Sequence, residues 1–171
     1  MNLPIIDRPI GIRAATLDDA GERARIDAYV RAHPDATPFH LTGWNVAVAR
    51  GCGQRAHYLV AEDAGGAIAG VLPLTEIASP LFGRAMVSAG FGVGGGILAD
   101  GGAGIAALAD AGWALAEARH CPTMELRGGP VPGPEWQVDD DTYLSFIKDL
   151  SNDDEAELQA VPRKQRAEVR K

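Results

Sequence analysis

The residues best suited to bind a charged ligand lie near the carboxyl end of the chain. Arg163, Lys164 and Arg166 follow Pro162 closely. In a helix, position 163 lies beside 166, and 166 beside 170, on neighbouring turns. Guanidinium and ammonium groups so arranged can grip a phosphate through charge-assisted hydrogen bonds. The spacing predicts a phosphate-binding helix, and the alternative is an exposed basic helix that only packs against another part of the protein.

The charge of the chain is distributed unevenly. The whole chain carries a net charge of -7. Its last nine residues hold five cations and one acid, a net +4, which leaves -11 for residues 1–162. An acidic body disfavours wrapping a nucleic-acid duplex, whereas a basic end can still meet a phosphate or a diphosphate.

Length and composition indicate an ordinary folded protein. The chain has 171 residues, of which 46% are hydrophobic and 23% charged, enough for one domain with a core. Its longest apolar stretches, such as residues 67–74, are far shorter than the roughly 20 residues that span a bilayer. The amino terminus lacks a basic segment followed by an apolar one. We therefore expect a cytoplasmic protein without a membrane span, in which Cys52 and Cys121 are free thiols.

A glycine-rich segment is the second candidate for ligand binding. Gly92-Val-Gly-Gly-Gly96 is followed by Gly101-Gly102 and a helix-forming run. Backbone amides at such a place can face an anion, and a helix amino terminus favours negative charge. The segment lacks a basic residue, however, and Asp100 adds a negative charge. A structural turn, in which glycine supplies conformational freedom, and a ligand-binding loop both remain open.

Histidine, cysteine and serine give no further site. Cys52 and His57, and likewise His120 and Cys121, do not have the spacing of a short-range metal-chelating pair. The chain contains no G-x-S-x-G motif and no cysteine in a setting that would lower its pKa. The sequence therefore predicts no metal site and identifies no catalytic residue.

Periodicity predicts a mixed sheet flanked by helices. Thr16, with Asp19 three residues later, is expected to cap a first helix that ends before His33-Pro34. A short helix holds Trp44 and stops at Gly51 and Gly53. Strands are expected at residues 10–14, 57–63, 67–77, 84–89, 123–127 and 142–148, and a long helix at 103–119. Leu59, Val71, Leu115 and Leu126 are predicted to lie in the core, and Ser151 and Pro162 to begin two further helices.

The order of these segments resembles a known family. The pattern runs from Phe39-x4-Trp44 through Gly53, Tyr58-Leu-Val-Ala-Glu62 and Gly70-Val-Leu-Pro-Leu74. It continues through Ser79–Gly83, Val87-Ser88, Phe91–Gly96, Glu125-Leu-Arg127 and the basic run 161–171. Over residues 10–171 the chain is similar to the FemAB-like family, whose members have two GNAT-related acyltransferase subdomains, and within it to the branch associated with exosortase/PEP-CTERM systems.

The resemblance implies an α/β (α+β) protein with a GNAT-like fold and a mixed, mainly antiparallel sheet. Residues 1–150 would be the amino-terminal GNAT-like subdomain, and residues 151–171 would begin a basic helical segment leading to a second subdomain. Because neither the second subdomain nor the segment that completes the first is present, we expect a truncated or split chain.

The resemblance also implies a function. Family members transfer an aminoacyl or acyl group to an amine on a phosphorylated cell-envelope precursor, and here the acceptor could be an exopolysaccharide or its precursor. No cofactor is implied, and the donor would be an aminoacyl-tRNA or an acyl-CoA. The substrate-binding candidates are Phe39, Trp44, Arg50, Arg127, Arg163, Lys164 and Arg166. Core packing for the aromatics and a solvated face for the cations are the alternatives.

Two other functional classes stay open. A catalytically silent fragment or binding domain is the more serious rival, since the second subdomain is missing. A self-sufficient acetyl-CoA-dependent GNAT N-acetyltransferase is the weaker one, because it would need a competent pyrophosphate loop at residues 92–104.

Overall fold

The computed structural model describes residues 9–81, 83–144 and 146–169. It contains two compact units, residues 1–136 and residues 137–171, which are described separately below. The predicted division of the whole protein at residue 150 stays a prediction.

The first unit is built on a mainly antiparallel sheet. The strands are β1 (Gly11–Ala14), β2 (Arg55–Glu62), β3 (Ile68–Ser79), β4 (Gly83–Ser88), β5 (Leu98–Ala99) and β6 (Met124–Glu125). They lie in the order β1-β2-β3-β4-β6, β5 pairs with β3, and β6 runs parallel to β4. The register pairs Val60 with Val71, so the apolar faces of β2 and β3 coincide. The predicted mixed, mainly antiparallel sheet is confirmed, while β5 was not expected.

One edge of β3 serves two strands in succession. Residues 74–79 of β3 pair with β4, and Gly70 and Val71 pair with β5. Between the two ladders lies Pro73, whose carbonyl accepts a hydrogen bond from Ala89 N at 3.0 Å. A strand residue points its N–H and C=O to the same side, so the missing N–H of Pro73 also faces this edge. The chain therefore leaves the sheet between β4 and β5 without stranding a backbone donor.

Three helices flank the sheet: α1 (Ala20–Ala32), α2 (Thr42–Cys52) and α3 (Gly102–Ala118). Helix α1 begins where Asp19 Oδ1 accepts hydrogen bonds from Gly21 N at 2.7 Å and Glu22 N at 3.2 Å. The predicted cap at Thr16 is therefore wrong, because Asp19 itself occupies the cap position. Helix α2 ends at Gly53, which adopts φ 63°, as its predicted stop requires.

The core lies on both faces of the sheet. One buried cluster joins β2 and β3 to α3 and includes Leu59, Leu72 and Leu108. The other joins the opposite face to α1 and includes Ile26 and Val71. Leu59 and Val71 are buried as predicted, whereas Leu115 and Leu126 are partly buried and pack against the first cluster.

The second unit contains two short helices, α4 (Asp154–Ala160) and α5 (Arg163–Val169). Asp153 caps α4 by accepting hydrogen bonds from Glu155 N and Ala156 N, so the predicted cap at Ser151 is wrong by two residues. Helix α5 begins directly after Pro162, as predicted.

The predicted strand at residues 142–148 is wrong for the part of it that the structure describes. Those residues belong to no strand, and Phe146 is 92% exposed. Alternating aromatic and β-branched residues favour an extended chain, but a strand also needs a neighbouring edge to bond to. No helix among residues 9–81, 83–144 and 146–169 is long and apolar enough to cross a membrane.

Candidate functional site at the glycine-rich loop

The parallel strands β4 and β6 separate soon after they meet. Their ladder contains two residue pairs, Met86 with Met124 and Val87 with Glu125. Beyond it, the Arg127 amide donates to the side-chain oxygen of Ser88 at 2.8 Å rather than to backbone. The carboxyl ends of parallel strands are where α/β proteins most often bind ligands. The glycine-rich loop, residues 89–97, leaves β4 at this point.

The glycines of the loop face inward and leave no space for a side chain. A Cβ on Gly90 would lie 2.6 Å from Thr75 Oγ1, and one on Gly92 would lie 2.6 Å from the ring of Phe39. A Cβ on Gly96 would lie 1.8 Å from the carbonyl oxygen of Gly128. Backbone of the loop thus fills the opening between the ends of β4 and β6.

Several amides of the loop already have partners within the protein. Gly90 N donates to Thr75 Oγ1 at 3.1 Å, Gly92 N to Ala89 O at 2.8 Å, and Gly94 N to Arg127 O at 2.9 Å. Amides committed in this way are not available to cradle an anion. For residues 90–94 the geometry supports the structural turn over the anion-binding loop, and the exposed Asp100 adds a negative charge just before α3.

One turn of the loop carries an aromatic side chain in an unusual conformation. The bond from Gly92 N to Ala89 O closes a four-residue turn whose third residue is Phe91, with φ 63°. That position of a turn normally holds glycine or asparagine when φ is positive. Ala89 also has positive φ, at 43°. Such residues cost about 1–3 kcal/mol each and persist only where the surroundings fix them.

Two of the predicted substrate-binding residues hold this turn in place. Phe39 and Trp44 meet edge to face with ring centroids 4.8 Å apart. Trp44 Nε1 donates to Gly90 O at 3.2 Å, which fixes the central peptide of the turn. Both rings are partly buried. The structure therefore brings Phe39 and Trp44 together with the loop, and their visible role is to position it.

His40 ties the same segment to the far end of the loop. Its Nδ1 accepts from Thr37 N at 3.0 Å, so Nε2 carries the proton and donates to Gly96 O at 3.2 Å. The Thr37 hydroxyl donates to Gly94 O at 2.9 Å. Burial lowers the pKa of His40, which keeps the imidazole neutral.

The predicted cations Arg50 and Arg127 do not meet at this site. Arg50 is exposed on α2 and lines a groove of about 670 Å³ that also contains Arg55 and His57. Arg127 lies beside the loop, where its Nε is 2.6 Å from Glu125 Oε1. Arg127 is thus available only as one half of an ion pair, and the role of Arg50 stays a prediction.

The predicted basic cluster lies in the second unit. Arg163, Lys164 and Arg166 all belong to α5, and Arg163 and Arg166 are three residues apart as predicted. The Arg166 guanidinium donates to the side-chain oxygen of Gln159 on α4. Position 170, the next turn of the predicted stripe, lies outside the described residues.

The sequence did not predict a buried carboxylate on the face of the sheet that α3 covers. Glu76 on β3 is 2% exposed and bonds to Arg119 Nε at 2.7 Å, to Arg84, and to His57 Nε2 at 3.4 Å. Burial alone would raise the pKa of Glu76, but the hydrogen bonds from Arg119, Arg84 and His57 lower it to about 2. The carboxylate is therefore a fixed negative charge rather than a proton carrier near neutral pH.

Sequence reasoning missed several residues that build the site. Thr37, His40, Thr75 and Ser88 all bond to the loop or to its neighbour Arg127. Thr37 and His40 form a reciprocal capping box around a short 3-10 turn at Pro38–His40, a spacing visible in the sequence. Thr75 and Ser88 gave no local signal, since their role depends on long-range pairing. Within the described ranges no group of three or more His, Cys, Asp or Glu could hold a metal ion.

Comparison with known proteins identifies similar structures but no family. No protein-family model matches the sequence. No curated protein matches it either. A ribosomal-protein-alanine N-acetyltransferase from Brucella melitensis biovar Abortus 2308 is 21% identical, with a TM-score of 0.49 over 83% of this chain and 99% of that chain. A GNAT family acetyltransferase from Staphylococcus aureus subsp. aureus USA300_TCH1516 is 14% identical, with a TM-score of 0.43 over 82% of this chain and 98% of that chain. Likenesses of this size leave the function to be inferred from the chain's own residues.

Proposed function

We propose that this chain functions as, or within, a GNAT-related N-acyltransferase of the FemAB-like type. It would transfer an aminoacyl or acyl group to an amine on a phosphorylated cell-envelope or exopolysaccharide precursor. The observation that supports this most is the opening between the carboxyl ends of β4 and β6, the one parallel pair in the sheet that the structure describes. A glycine-rich loop lies in that opening and leads to α3.

The chemistry of this proposal has few requirements. An unprotonated amine attacks an ester or thioester carbonyl, and the carbonyl carbon becomes tetrahedral. Its collapse forms the amide and breaks the C–O or C–S bond, and the alcohol or thiol of the donor leaves with the proton that the amine loses. A rigid site lowers the barrier by holding the two reactants together, and backbone donors stabilise the developing oxyanion. The donor itself, an aminoacyl-tRNA or an acyl-CoA, supplies the activated carbonyl.

The structure of the loop favours an aminoacyl-tRNA over acetyl-CoA as the donor. A CoA pyrophosphate needs free amides or cations near the start of α3. Residues 90–102 contain no cation, and Gly90, Gly92 and Gly94 already donate to internal acceptors. Asp100, just before α3, would repel a pyrophosphate. A tRNA-linked donor carries single phosphodiesters and no pyrophosphate, so it does not need a pyrophosphate loop before α3. Its acidic stem could then be met by another part of the protein.

The acceptor phosphate is assigned to α5. Arg163, Lys164 and Arg166 lie within four successive positions of one helix. Arg50 in its groove is a second candidate for an anionic part of the acceptor.

Transfer assays with defined donors test the proposal. The full-length protein would receive labelled aminoacyl-tRNA or labelled acetyl-CoA, with an amine-bearing saccharide precursor as acceptor. We expect transfer from aminoacyl-tRNA and none from acetyl-CoA as sole donor. Gly92→Val, which would drive a side chain into Phe39, should abolish transfer. Gly101→Ser is the matched control, since a side chain there meets no atom within 4 Å.

Two results would contradict the proposal. One is turnover of acetyl-CoA with simple amines by the 171-residue chain that is lost in Gly92→Val, because it would show a self-sufficient acetyltransferase. The other is the absence of transfer from every donor despite tight acceptor binding.

A binding domain without catalysis is the second candidate. The specific observation in its favour is the contact of Gly96 with Gly128, which fills the opening where a donor would lie. Such a domain would bind the acceptor with the same affinity in the presence and absence of donor and would never release a transferred product.

A further inference from the structure

The only side chains between residues 90 and 96 belong to Phe91 and Val93, since the other five positions are glycine. Both side chains point to solvent: Phe91 is 56% exposed and Val93 66% exposed. The neighbouring glycines, by contrast, lie against Thr75, Phe39 and Gly128 without space for a side chain. The loop therefore directs its two apolar groups outward.

Packing does not explain why residue 91 is a phenylalanine. Its backbone has positive φ, where glycine would be free of strain, and over half of the side chain gains no burial. Three hydrogen bonds hold the strained turn: Trp44 Nε1 to Gly90 O, Gly90 N to Thr75 Oγ1, and Gly92 N to Ala89 O. A strained residue that its surroundings fix this firmly, and that contributes little to the core, points to a role in ligand contact.

The loop that carries Phe91 has an apolar surface and is bonded to a segment that carries an ion pair. Two residues beyond it, Val93 extends the apolar surface, and the next residue, Gly94, bonds to the carbonyl of Arg127. The Arg127 side chain forms its ion pair with Glu125 at the end of β6. An exposed aromatic ring, on a loop bonded to the segment that carries this ion pair, suits a ligand that has both C–H faces and hydroxyl groups.

We propose that Phe91 is a stacking platform for a pyranose ring of the acceptor, a role that rests on the proposed function. The positively polarised C–H groups of the sugar face would lie on the negative face of the aromatic ring, and the Arg127–Glu125 pair would meet its hydroxyls. A lipid chain would need a much larger continuous apolar surface than two side chains offer. A nucleobase also stacks on aromatic rings, so a nucleotide is the competitor in the test.

The test compares binding and stability in the same variants. The probe is N-acetylglucosamine disaccharide, titrated into the full chain and followed by NMR chemical shifts. Phe91→Gly should weaken binding by at least about tenfold, and its melting temperature should stay the same or rise because the strain is relieved. Phe91→Tyr keeps the ring and should bind within about threefold of the parent.

His120→Gly is the matched control. His120 is also exposed and also has positive φ, at 55°, but it follows α3 rather than the loop. Its replacement should raise the melting temperature without changing disaccharide binding.

Three outcomes overturn the platform. In the first, Phe91→Gly binds the disaccharide normally. In the second, the same variant binds more weakly and also has a lower melting temperature, which would make Phe91 a structural residue. Uridine monophosphate could displace the disaccharide and shift the same Phe91 signals more strongly, which would make the ligand a nucleobase. Disaccharide binding that depends on Phe91 in a protein with no transferase activity would refute the proposed function and leave the platform intact.

Discussion

Replacing Gly96 with alanine tests whether the glycine-rich loop is packed or free. The added Cβ would lie 1.8 Å from Gly128 O and 2.6 Å from Gly128 C, whereas ordinary contacts begin at 3.4 Å. One backbone must therefore move by about 1.6 Å, the difference between 3.4 and 1.8 Å. Overpacking of this kind costs about 1–3 kcal/mol, and loss of the nearby bond from Gly94 N to Arg127 O would add about 1 kcal/mol.

We expect Gly96→Ala to lower the free energy of unfolding by about 2–4 kcal/mol and the melting temperature by roughly 4–16 °C. Gly43→Ala is the matched control: Gly43 lies in α2, and a side chain there meets no atom within 4 Å. It should stabilise the protein by up to about 1 kcal/mol because alanine favours helix. Denaturant unfolding followed by circular dichroism measures both. If Gly96→Ala unfolds within about 0.5 kcal/mol of the parent, the loop leaves Gly128 at little cost and the ligand-loop interpretation returns.

Three further predictions follow from the buried polar groups and the basic helix. Burial lowers the pKa of His40, so the neutral imidazole stabilises the fold at a pH above the unfolded-state pKa of about 6.5. This stability is lost as the pH falls below that value. In denaturant unfolding, the free energies of the parent and His40→Gln should therefore differ less at about pH 5 than at about pH 7.5. Glu76→Gln should lower the free energy of unfolding by about 1–3 kcal/mol at neutral pH. The difference from the parent should shrink as the pH falls from about 4.5 towards 2, where the parent carboxylate becomes protonated. A difference that stays constant across an acid titration would contradict the ion cluster. In the full-length protein, Lys164→Ala and Arg166→Ala should each weaken acceptor binding by at least about tenfold, or 1.4 kcal/mol, as measured by calorimetry. The melting temperature should change little. Normal acceptor affinity in both variants would make the helix structural.

Local pattern predicted most of the sheet and helices of the first unit. Alternation and glycine turns located β2, β3 and β4 to within two residues, and Gly53 marked the end of α2. These signals succeed because side-chain period and turn chemistry are properties of a few adjacent residues. The cap of α1 was misplaced because threonine and aspartate are both suitable cap residues, and only the path of the chain decides that Asp19 takes the position.

Long-range pairing explains what the sequence left out. Strand β5 contains only Leu98 and Ala99, too short for a periodic signal, and exists because β3 offers a free edge there. The strand predicted at residues 142–148 fails for the opposite reason, since its alternation meets no partner among the described residues. At the site, Phe39 and Trp44 were identified, but their contacts with Gly90 and Gly92 depend on segments about 50 positions apart.

The edge of β3 on which Pro73 separates the two ladders has a consequence for the evolution of this protein. Because β4 and β5 are anchored on the same edge of β3, the two ends of the glycine-rich loop are held at fixed points of the sheet. Residues gained or lost at its tip would alter neither ladder, since loop length adds little to the cost of closure between fixed ends. Selection can therefore remodel the tip, and with it ligand preference, while the sheet beneath stays the same.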